Sequence, residues 1–345
     1  LFSQIDYLSF SKKEITIKKD IESRSKISIK ICDDFDLIYN EFIKNVLPSS
    51  YLENFDTYSK INTKKYDYIC KMGTAIHVAL NDSFKFGIIN LKIKNKKIFN
   101  IQHGGLFGNR ILAPEDYLNN KFTDLNLYWN DLNKKIGSQY FLDIKFKKLK
   151  STNKILLLPS HQLFNEKIDN LSNYNHIYLN QNWELFKNLK KNKSLDLNVK
   201  FFNHQNDDFL RKKWKKKFKK TVTILDSTIS YKGSIFNQFD LVIINDFSTA
   251  FYELMYYKKP FIILNSAPSI NYNVKFWKSM EELKKINLWF NNEKKLLKFL
   301  NNNLENFILN WSEVLKSKTY NKVYKTLFAT EKFNDRLFVD EIMKL

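Results

Sequence analysis

Short runs of apolar, often β-branched residues recur along this chain and are separated by stretches with helical periodicity. In the second half these runs cover residues 154–158, 197–202, 221–225, 241–244 and 261–264. Such short runs between turn residues predict buried strands. Strands that alternate with helices predict an α/β fold with a parallel sheet.

The first half shows a weaker version of the same pattern. Strands are predicted at 66–70, 98–101 and 125–129, and alternation suggests further strands at 15–17 and 27–31. A helix, or two, is predicted from 74 to about 92, and the chain from Met280 onward has a helical pattern. The polar, lysine-rich stretch 145–153 is predicted to be a linker between two domains.

Composition agrees with a folded two-domain chain. The 345 residues are 43% hydrophobic and 16% aromatic, enough for two separate cores. No run of 18 uncharged apolar residues occurs, so no transmembrane span is predicted. Cys32 and Cys70 lack metal-ligand spacing, which favours a reduced, cytoplasmic setting. The chain starts with Leu1, and the missing initiator methionine suggests that residues precede it.

The most informative segment is the strand, turn and helix start at 240–254. The apolar run 241–244 is followed by Asn245 and Asp246, which favour a turn, and then by Ser248 and Thr249, which suit a helix start. A helix N-terminus beyond the carboxyl end of a parallel strand offers N–H groups and a positive dipole end to a phosphate. The alternative is that Ser248 only caps the helix.

A second strand end of this kind lies far upstream. The run 98–101 leads into Gln102 and His103, and then into Gly104 and Gly105, which let the backbone turn tightly and approach a ligand. His103 is a candidate acid/base group or hydrogen-bond donor to a phosphate. The alternative is a structural histidine that is hydrogen-bonded to a nearby carbonyl. Two such strand ends in different halves of the chain predict a cleft between two domains.

The 102–108 segment (Gln-His-Gly-Gly-Leu-Phe-Gly) resembles a loop of bacterial surface-carbohydrate transferases that are distantly related to the Kdo and CDP-glycerol transferases. Further matches follow in the same order over residues 66–265. Residues 124–130 resemble a strand that ends in Trp-Gly-Trp in the family, although Asn130 and Asp131 replace the last two residues. Residues 203–208 with Arg211 and Trp214, and the 246–260 segment, resemble two later motifs. Residues 201–203 depart from the family, which tends to have Arg and Pro there.

The resemblance implies a GT-B-like fold, in which two Rossmann-like domains hold parallel sheets that face a central cleft. Residues 1–148 would form the acceptor-side domain and residues 149–320 the domain that binds the nucleotide sugar. A C-terminal helix within 321–345 would cross back to the first domain.

Site residues follow from the motifs and the resemblance together. His103 is the predicted catalytic group, and Glu115 and Asp116 are the nearest carboxylates after its loop. Glu253 would accept hydrogen bonds from ribose, with a helix-face salt bridge to Lys258 or Lys259 as the alternative. Asp226 would bind base or ribose, or cap a turn. The predicted nucleotide or substrate ligands are Gln102, Gly104, Gly105, His204, Arg211, Asp226, Asp246, Ser248, Thr249 and Glu253. No metal and no cofactor are predicted, because no His/Cys/carboxylate cluster has metal spacing.

The predicted activity is transfer of a sugar from a nucleotide donor to a surface polysaccharide or a lipid-linked glycan. CMP-Kdo or a related CMP-ulosonate is the preferred donor by resemblance. A CDP-glycerol-type polyol-phosphate transferase, a UDP-sugar enzyme and a non-catalytic assembly scaffold are the alternatives.

The net charge of +21 and the basic-aromatic run at 211–220 also suggest a nucleic-acid-binding module as an alternative function. No zinc spacing or RNP-type signature accompanies the charge, so a solvated or membrane-facing surface is favoured over nucleic acid. An enzyme peripheral to the anionic inner membrane would use such a face, with Trp214 and Phe218 helping it dock.

Overall fold

The computed structural model describes residues 19–28, 30–60, 71–74, 82–102, 114–129, 153–159, 172–201, 205–219, 221–226, 233–265, 272–328 and 334–344. Contacts divide the chain into two compact units. The first comprises Leu1–Ile101, Pro114–Leu127 and Val339–Leu345, and the second comprises Gln102–Ala113 and Tyr128–Phe338.

Among the described residues, the first unit holds a parallel sheet of three strands in the order β1-β2-β3. The strands are Lys71–Thr74 (β1), Lys97–Ile101 (β2) and Leu125–Leu127 (β3). Its described helices are Ile21–Ser25 (α1), Asp34–Val46 (α2), Phe55–Ser59 (α3), Asp82–Ile93 (α4) and Pro114–Phe122 (α5). Ile98 and Leu127 are buried in the sheet, and Leu91 is buried on α4, so the apolar positions of both element types are used as the pattern predicted.

Two expectations for the first unit change, and one cannot be compared with the described residues. Thr74 belongs to strand β1 instead of starting a helix, and a helix of the predicted range is found at Asp82–Ile93, while residues 75–81 lie outside the described residues. The strand suggested at 27–31 is wrong for its described residues, because the chain there leads into a cap: Asp33 accepts from the N–H of Asp36, and the Asp36 carboxylate accepts from the N–H of Cys32. The strands suggested at 15–17 and 66–70 lie outside the described residues.

The second unit holds six parallel strands in the order β6-β5-β4-β7-β8-β9. They are Lys154–Leu158 (β4), Asp196–Val199 (β5), Thr223–Ile224 (β6), Leu241–Ile244 (β7), Phe261–Leu264 (β8) and Trp289–Phe290 (β9). Counted within the unit, this is the order 3-2-1-4-5-6 of the Rossmann fold. The order reverses between β4 and β7, where Leu158 pairs with Ile244.

The core of the second unit is built on strands β7 and β8, whose residues are all buried. The surrounding helices are Ser172–Leu189 (α6), Gln205–Phe218 (α7), Thr249–Tyr256 (α8), Val274–Glu281 (α9), Glu293–Leu309 (α10), Trp311–Lys316 (α11), Lys318–Leu327 (α12) and Asp335–Met343 (α13), the last of which continues into the first unit's segment. Short 3₁₀ helices cover Ser49–Tyr51, Gly233–Gln238 and Glu282–Ile286.

The predicted α/β class with parallel sheets is confirmed. Strands at 154–158, 241–244 and 261–264 are found where the apolar runs placed them. Strand β9 was missed, because two apolar residues inside a helical pattern give no strand signal of their own. The boundary at 148/149 lies within 130–152, outside the described residues, and both it and the crossing of helix 321–345 remain predictions.

Candidate functional site

The candidate site of the second unit lies at the carboxyl ends of its strands, where the strand order reverses. Strand β7 ends at Ile244 and helix α8 begins at Thr249, with Ser248 in extended conformation as the N-cap residue. The Asp246 carboxylate accepts a hydrogen bond from the Ser248 N–H at 3.1 Å, which closes the turn. The Ser248 side chain makes no capping hydrogen bond, so its hydroxyl is not used in the way that the capping interpretation requires.

A buried amide pair holds the end of β7 in place. Asn245 and Asn182 of α6 are almost fully buried and exchange two side-chain hydrogen bonds of 2.8 and 3.1 Å. Asn245 also donates to the Leu264 carbonyl at the end of β8, at 2.9 Å. A buried polar network with satisfied partners stiffens the backbone it joins. Sequence reasoning gave Asn245 only a turn role and missed Asn182 entirely.

Helix α8 turns its remaining site candidate inward. Glu253, one turn after the half-buried Thr249, is only 5% exposed. Lys259, one of the two lysines of the salt-bridge alternative, is buried as well, so the ribose role and the salt bridge with Lys258 or Lys259 both remain predictions. The helix closes with Lys258 in the left-handed region at φ 54°, and the N–H of Lys259 donates to the Leu254 carbonyl at 3.0 Å.

A group of charged residues lies at the ends of the neighbouring strands β5 and β6. Lys200, directly after β5, is fully buried, and its ammonium donates to the Asp226 carbonyl at 3.3 Å. Burial lowers the pKa of Lys200, the positive charge of Arg211 on α7 lowers it further, and the negative charge of Asp226 opposes both. Arg211 is half-buried and Asp226 is exposed. Lys200 was missed, although a lone lysine inside the apolar run 197–202 is a visible signal.

Gln102 lies where strand β2 ends, and it groups with the second unit. Its side chain is buried, and its amide oxygen accepts a hydrogen bond from the Trp129 N–H at 2.9 Å. The Trp129 ring in turn packs edge-on against Tyr252 of α8, with ring centres 5.6 Å apart. These contacts link the start of the Gln-His-Gly-Gly segment to the helix that follows β7.

The other predicted site residues lie either outside the described part of the chain or in the first unit. His103, Gly104, Gly105 and His204 lie outside the described residues. Glu115 and Asp116 lie in the first turn of α5, a helix of the first unit. The roles assigned to all of the site residues remain predictions.

The basic helix α7 corrects one expectation. Trp214 and Phe218 are 1% and 2% exposed and pack against Phe186 in the core. They therefore cannot help the protein dock on a membrane or stack on bases. The lysines on its outer face, and Lys219 directly after the helix, are exposed: Lys212, Lys213, Lys215, Lys216, Lys217 and Lys219.

The described part of the chain contains neither a metal-ion cluster nor a helix suited to span a membrane. No group of three His, Cys, Asp or Glu side chains in that part of the chain lies close enough together to hold a metal ion. None of the described helices has the length and apolar character that crossing a bilayer requires. A cavity of about 430 Å³ lies at α9 and α12, and its lining contains no predicted site residue.

The sequence profile of the LIC12162 family transferases matches residues 1–332. The chain belongs to this family. The predicted transferase class is thereby confirmed, while the Kdo and CDP-glycerol relationship of the LIC12162 family transferase remains a proposal. No curated protein sequence matches the chain.

Three solved structures are similar to this LIC12162 family transferase. TarM aligns with a TM-score of 0.41 and 13% identity over 79% of this chain and 54% of its own. The spinosyn rhamnosyltransferase SpnG, complexed with spinosyn aglycone, aligns with a TM-score of 0.44 and 9% identity over 86% of this chain and 78% of its own. MnaA from S. aureus, in a structure with UDP, aligns with a TM-score of 0.43 and 10% identity over 84% of this chain and 78% of its own. The chain thus spans about half the length of TarM, and similarities this distant assign no substrate and no residue role.

Proposed function

We propose that this transferase is a GT-B-like glycosyltransferase that moves a sugar from a nucleotide donor onto a bacterial surface polysaccharide or a lipid-linked glycan. The observation that carries the proposal is the strand, turn and helix start between Ile244 and Thr249. It stands at the point where a sheet of order 3-2-1-4-5-6 reverses, which is where open α/β sheets bind ligands.

The N-terminus of α8 is the proposed phosphate site. The first turn of a helix presents N–H groups that have no partner within the helix, and the helix dipole adds partial positive charge. Ser248 and Thr249 add hydroxyl donors at the same end. As the sugar leaves, negative charge grows on the nucleotide phosphate, and donors already in place stabilise that charge without reorganising. The rigid Asn182–Asn245 pair supports this by holding the end of β7.

The proposed donor is a CMP-linked ulosonate such as CMP-Kdo, which rests on the resemblance of the 102–108 and 246–260 segments. CDP-glycerol and UDP-sugars are the competing donors. His103 is the proposed acid/base group, and Glu115 or Asp116 the proposed carboxylate partner, because a sugar transfer needs a group that moves or orients a proton at the reacting centre.

The proposed place of action is the cytoplasmic face of the inner membrane. Support comes from the net charge of +21 and from the row of exposed lysines on α7. A basic face attracts anionic lipid headgroups, and the attraction falls off over a Debye length. With Trp214 and Phe218 buried, such binding would be electrostatic, so we expect it to be lost at high salt.

The deciding experiment compares nucleotide binding in the native protein and in Ser248→Ala/Thr249→Ala. A ligand that binds only the folded state raises the melting temperature, so a thermal-shift series with CMP, CDP, UDP and GDP identifies the base. We expect CMP to be the strongest, and the double variant to lose about 1–3 kcal/mol of binding free energy by calorimetry.

Ser312→Ala/Thr326→Ala provides the matched control, since it removes one serine and one threonine hydroxyl from α11 and α12, away from the proposed phosphate site. It should bind the nucleotide as the native protein does. Equal affinity in the Ser248/Thr249 variant and in this control would remove the phosphate site. Failure of every nucleotide to raise the melting temperature would contradict the proposed activity and favour a non-catalytic scaffold.

A further inference from the structure

The lysines of α7 belong to a basic surface that also includes the turn after α6. Both helices pack on the same face of the second sheet, because β4, β5 and β6 are neighbours in chain order and right-handed crossovers put successive helices on one side. The Phe186 ring of α6 lies 5.5 Å from the Trp214 ring and 6.5 Å from the Phe218 ring of α7. The two helices are therefore in direct contact.

Lysine side chains meet across this contact. The Lys190 ammonium lies 5.9 Å from the centre of the Phe218 ring, and the Lys217 ammonium lies 4.0 Å from the centre of the Trp183 ring. Each helix or its turn thus places a cation on an aromatic ring of the other helix. Both lysines are exposed, and together with their exposed neighbours they form what we call the α6–α7 basic surface: Lys190, Lys191, Lys193, Lys212, Lys213, Lys215, Lys216, Lys217 and Lys219.

The carboxylates beside this surface in the chain are paired with other lysines or lie at the far end of α7. Glu184 pairs with Lys187 at 3.3 Å, and Asp196 pairs with Lys154 at 3.8 Å. Residues 207–208, both aspartates, lie in the first turn of α7. Among the described residues, no salt bridge joins a carboxylate to Lys190, Lys191, Lys193, Lys212, Lys215, Lys216, Lys217 or Lys219.

Most of this surface lies away from the proposed nucleotide site. Helix α6 leads into the amino end of β5, and α7 leads into the amino end of β6, so the C-terminal ends of both helices lie toward the amino edge of the sheet. The phosphate site at Ser248 and Thr249 belongs to the carboxyl edge. The 18 residues of α6 span about 27 Å between the two edges. A partner at the α6–α7 basic surface therefore leaves the nucleotide edge open.

The side chains of the surface suit lipid headgroups better than nucleic acid. Bases of a single strand stack on exposed aromatic rings, but Trp214 and Phe218 are buried and the Lys217 ammonium covers the Trp183 ring. Lysine is a flexible point charge and lacks the planar fork with which arginine reads a fixed phosphate. Several lysines near an anionic leaflet each gain attraction without requiring a fixed geometry.

We propose that the α6–α7 basic surface docks the second unit on a bilayer that contains anionic lipids, with the nucleotide edge of the sheet left open. This docking rests on the proposed function for the membrane as the place of action, and it adds the turn after α6 to the contact. Membrane binding and nucleotide binding should then be independent. The competing explanation is that lysines near the ends of α6 and α7 only stabilise the negative ends of the helix dipoles.

The experiment measures co-sedimentation with phosphatidylcholine vesicles, with and without phosphatidylglycerol, at about 0.15 M salt. Three variants each lose three lysine charges: Lys190→Gln/Lys191→Gln/Lys193→Gln, Lys212→Gln/Lys215→Gln/Lys216→Gln and, as the matched control, Lys294→Gln/Lys295→Gln/Lys298→Gln at exposed positions of α10. We expect the native protein to bind only the vesicles with phosphatidylglycerol. The first two variants should bind them roughly 10- to 100-fold more weakly, and the control within a few-fold of the native protein.

Two further measurements separate docking from stability and from nucleotide binding. Lys190→Arg/Lys191→Arg/Lys193→Arg keeps the charge and should bind vesicles as the native protein does. All variants should keep the native melting temperature and the native nucleotide affinity, with or without vesicles. A lowered melting temperature with native vesicle binding in the first two glutamine variants would overturn the docking role and assign these lysines to the helix ends.

Four other results would overturn the proposal. Equal losses in all three glutamine variants would show that net charge decides binding and that its placement does not. Lost vesicle binding in the arginine variant would show that charge is not what the surface supplies. Tighter binding to duplex DNA or to an acidic polysaccharide, lost in the same two variants, would assign the surface to that polymer. Failure of the native protein to bind anionic vesicles would remove the surface and leave the nucleotide experiments to test the proposed function. Selective vesicle binding without any nucleotide binding would support the surface and contradict the proposed activity.

Discussion

The buried lysine at the amino edge of the second sheet makes the stability of this protein depend on alkaline pH. Burial lowers the pKa of Lys259 from its usual 10.5 to about 8, and the negative charge of Asp240 opposes the change only in part. The unfolded chain keeps the usual value. Between about pH 8 and 10.5 the unfolded state therefore binds more protons than the folded state, and the free energy of unfolding rises with pH.

The size of this effect follows from the same two values. A fall from 10.5 to about 8 corresponds to about 3 kcal/mol at 1.36 kcal/mol per pH unit. Solvent near the ammonium screens part of the penalty, so we expect roughly 2 kcal/mol. The contribution is absent below about pH 8, where the folded state carries the buried charge, and is complete above 10.5, where both states are neutral.

Urea denaturation followed by tryptophan fluorescence measures this contribution, because all six tryptophans belong to the second unit. Other groups also titrate in this range, so the quantity to follow is the difference between the native protein and Lys259→Met. That difference should shift by roughly 2 kcal/mol in favour of the native protein between pH 7.5 and 10.5. Lys295→Met, which removes a lysine from an exposed position of α10, is the matched control. Parallel stability curves for the native protein and Lys259→Met would refute the reasoning.

Two further predictions concern the first unit and the proposed chemistry. Arg24 and Glu53 form a buried ion pair at 2.6 Å, whose hydrogen bonds lower the pKa of Glu53 from 4.5 to about 2. This pair should stabilise the first unit above about pH 4.5 and stop doing so as the pH falls toward 2, so Glu53→Gln should lower the melting temperature at pH 7 but not at pH 2, by circular dichroism, whereas exposed Glu41→Gln should have little effect at either pH. His103→Ala should lower turnover with a CMP-sugar by roughly 10²–10⁴-fold and keep nucleotide affinity within a few-fold; near-normal turnover in a variant that melts normally would contradict the catalytic role.

The local sequence was sufficient for the strands of the second unit other than β9, and for the turn into α8. The run 241–244 has four apolar β-formers, and a residue pattern of that kind is stable only as a strand with both faces covered. Asp246 and Ser248 shape the turn through a bond between residues two apart, which depends on no distant part of the chain. Features of this kind can be predicted because all the atoms that decide them are neighbours in sequence.

Which face of the basic helix α7 is buried could be determined only from its tertiary contacts. Leu210, Trp214 and Phe218 recur every four residues, which marks one face of α7, but the surrounding lysines drew the interpretation toward a docking surface. Only the packing of that face against Phe186 shows that the aromatic side chains belong to the core.

The candidate site as a whole was decided by strand order. The local sequence around residues 200, 211 and 245 does not predict that β5, β4 and β7 are neighbours. The hydrogen bonds that set their order join residues far apart in the chain. That order brings Lys200 and the start of α8 to one edge of one sheet, and Lys200 is buried there. Long-range pairing determines which strand ends meet, and therefore which polar residues can share a ligand.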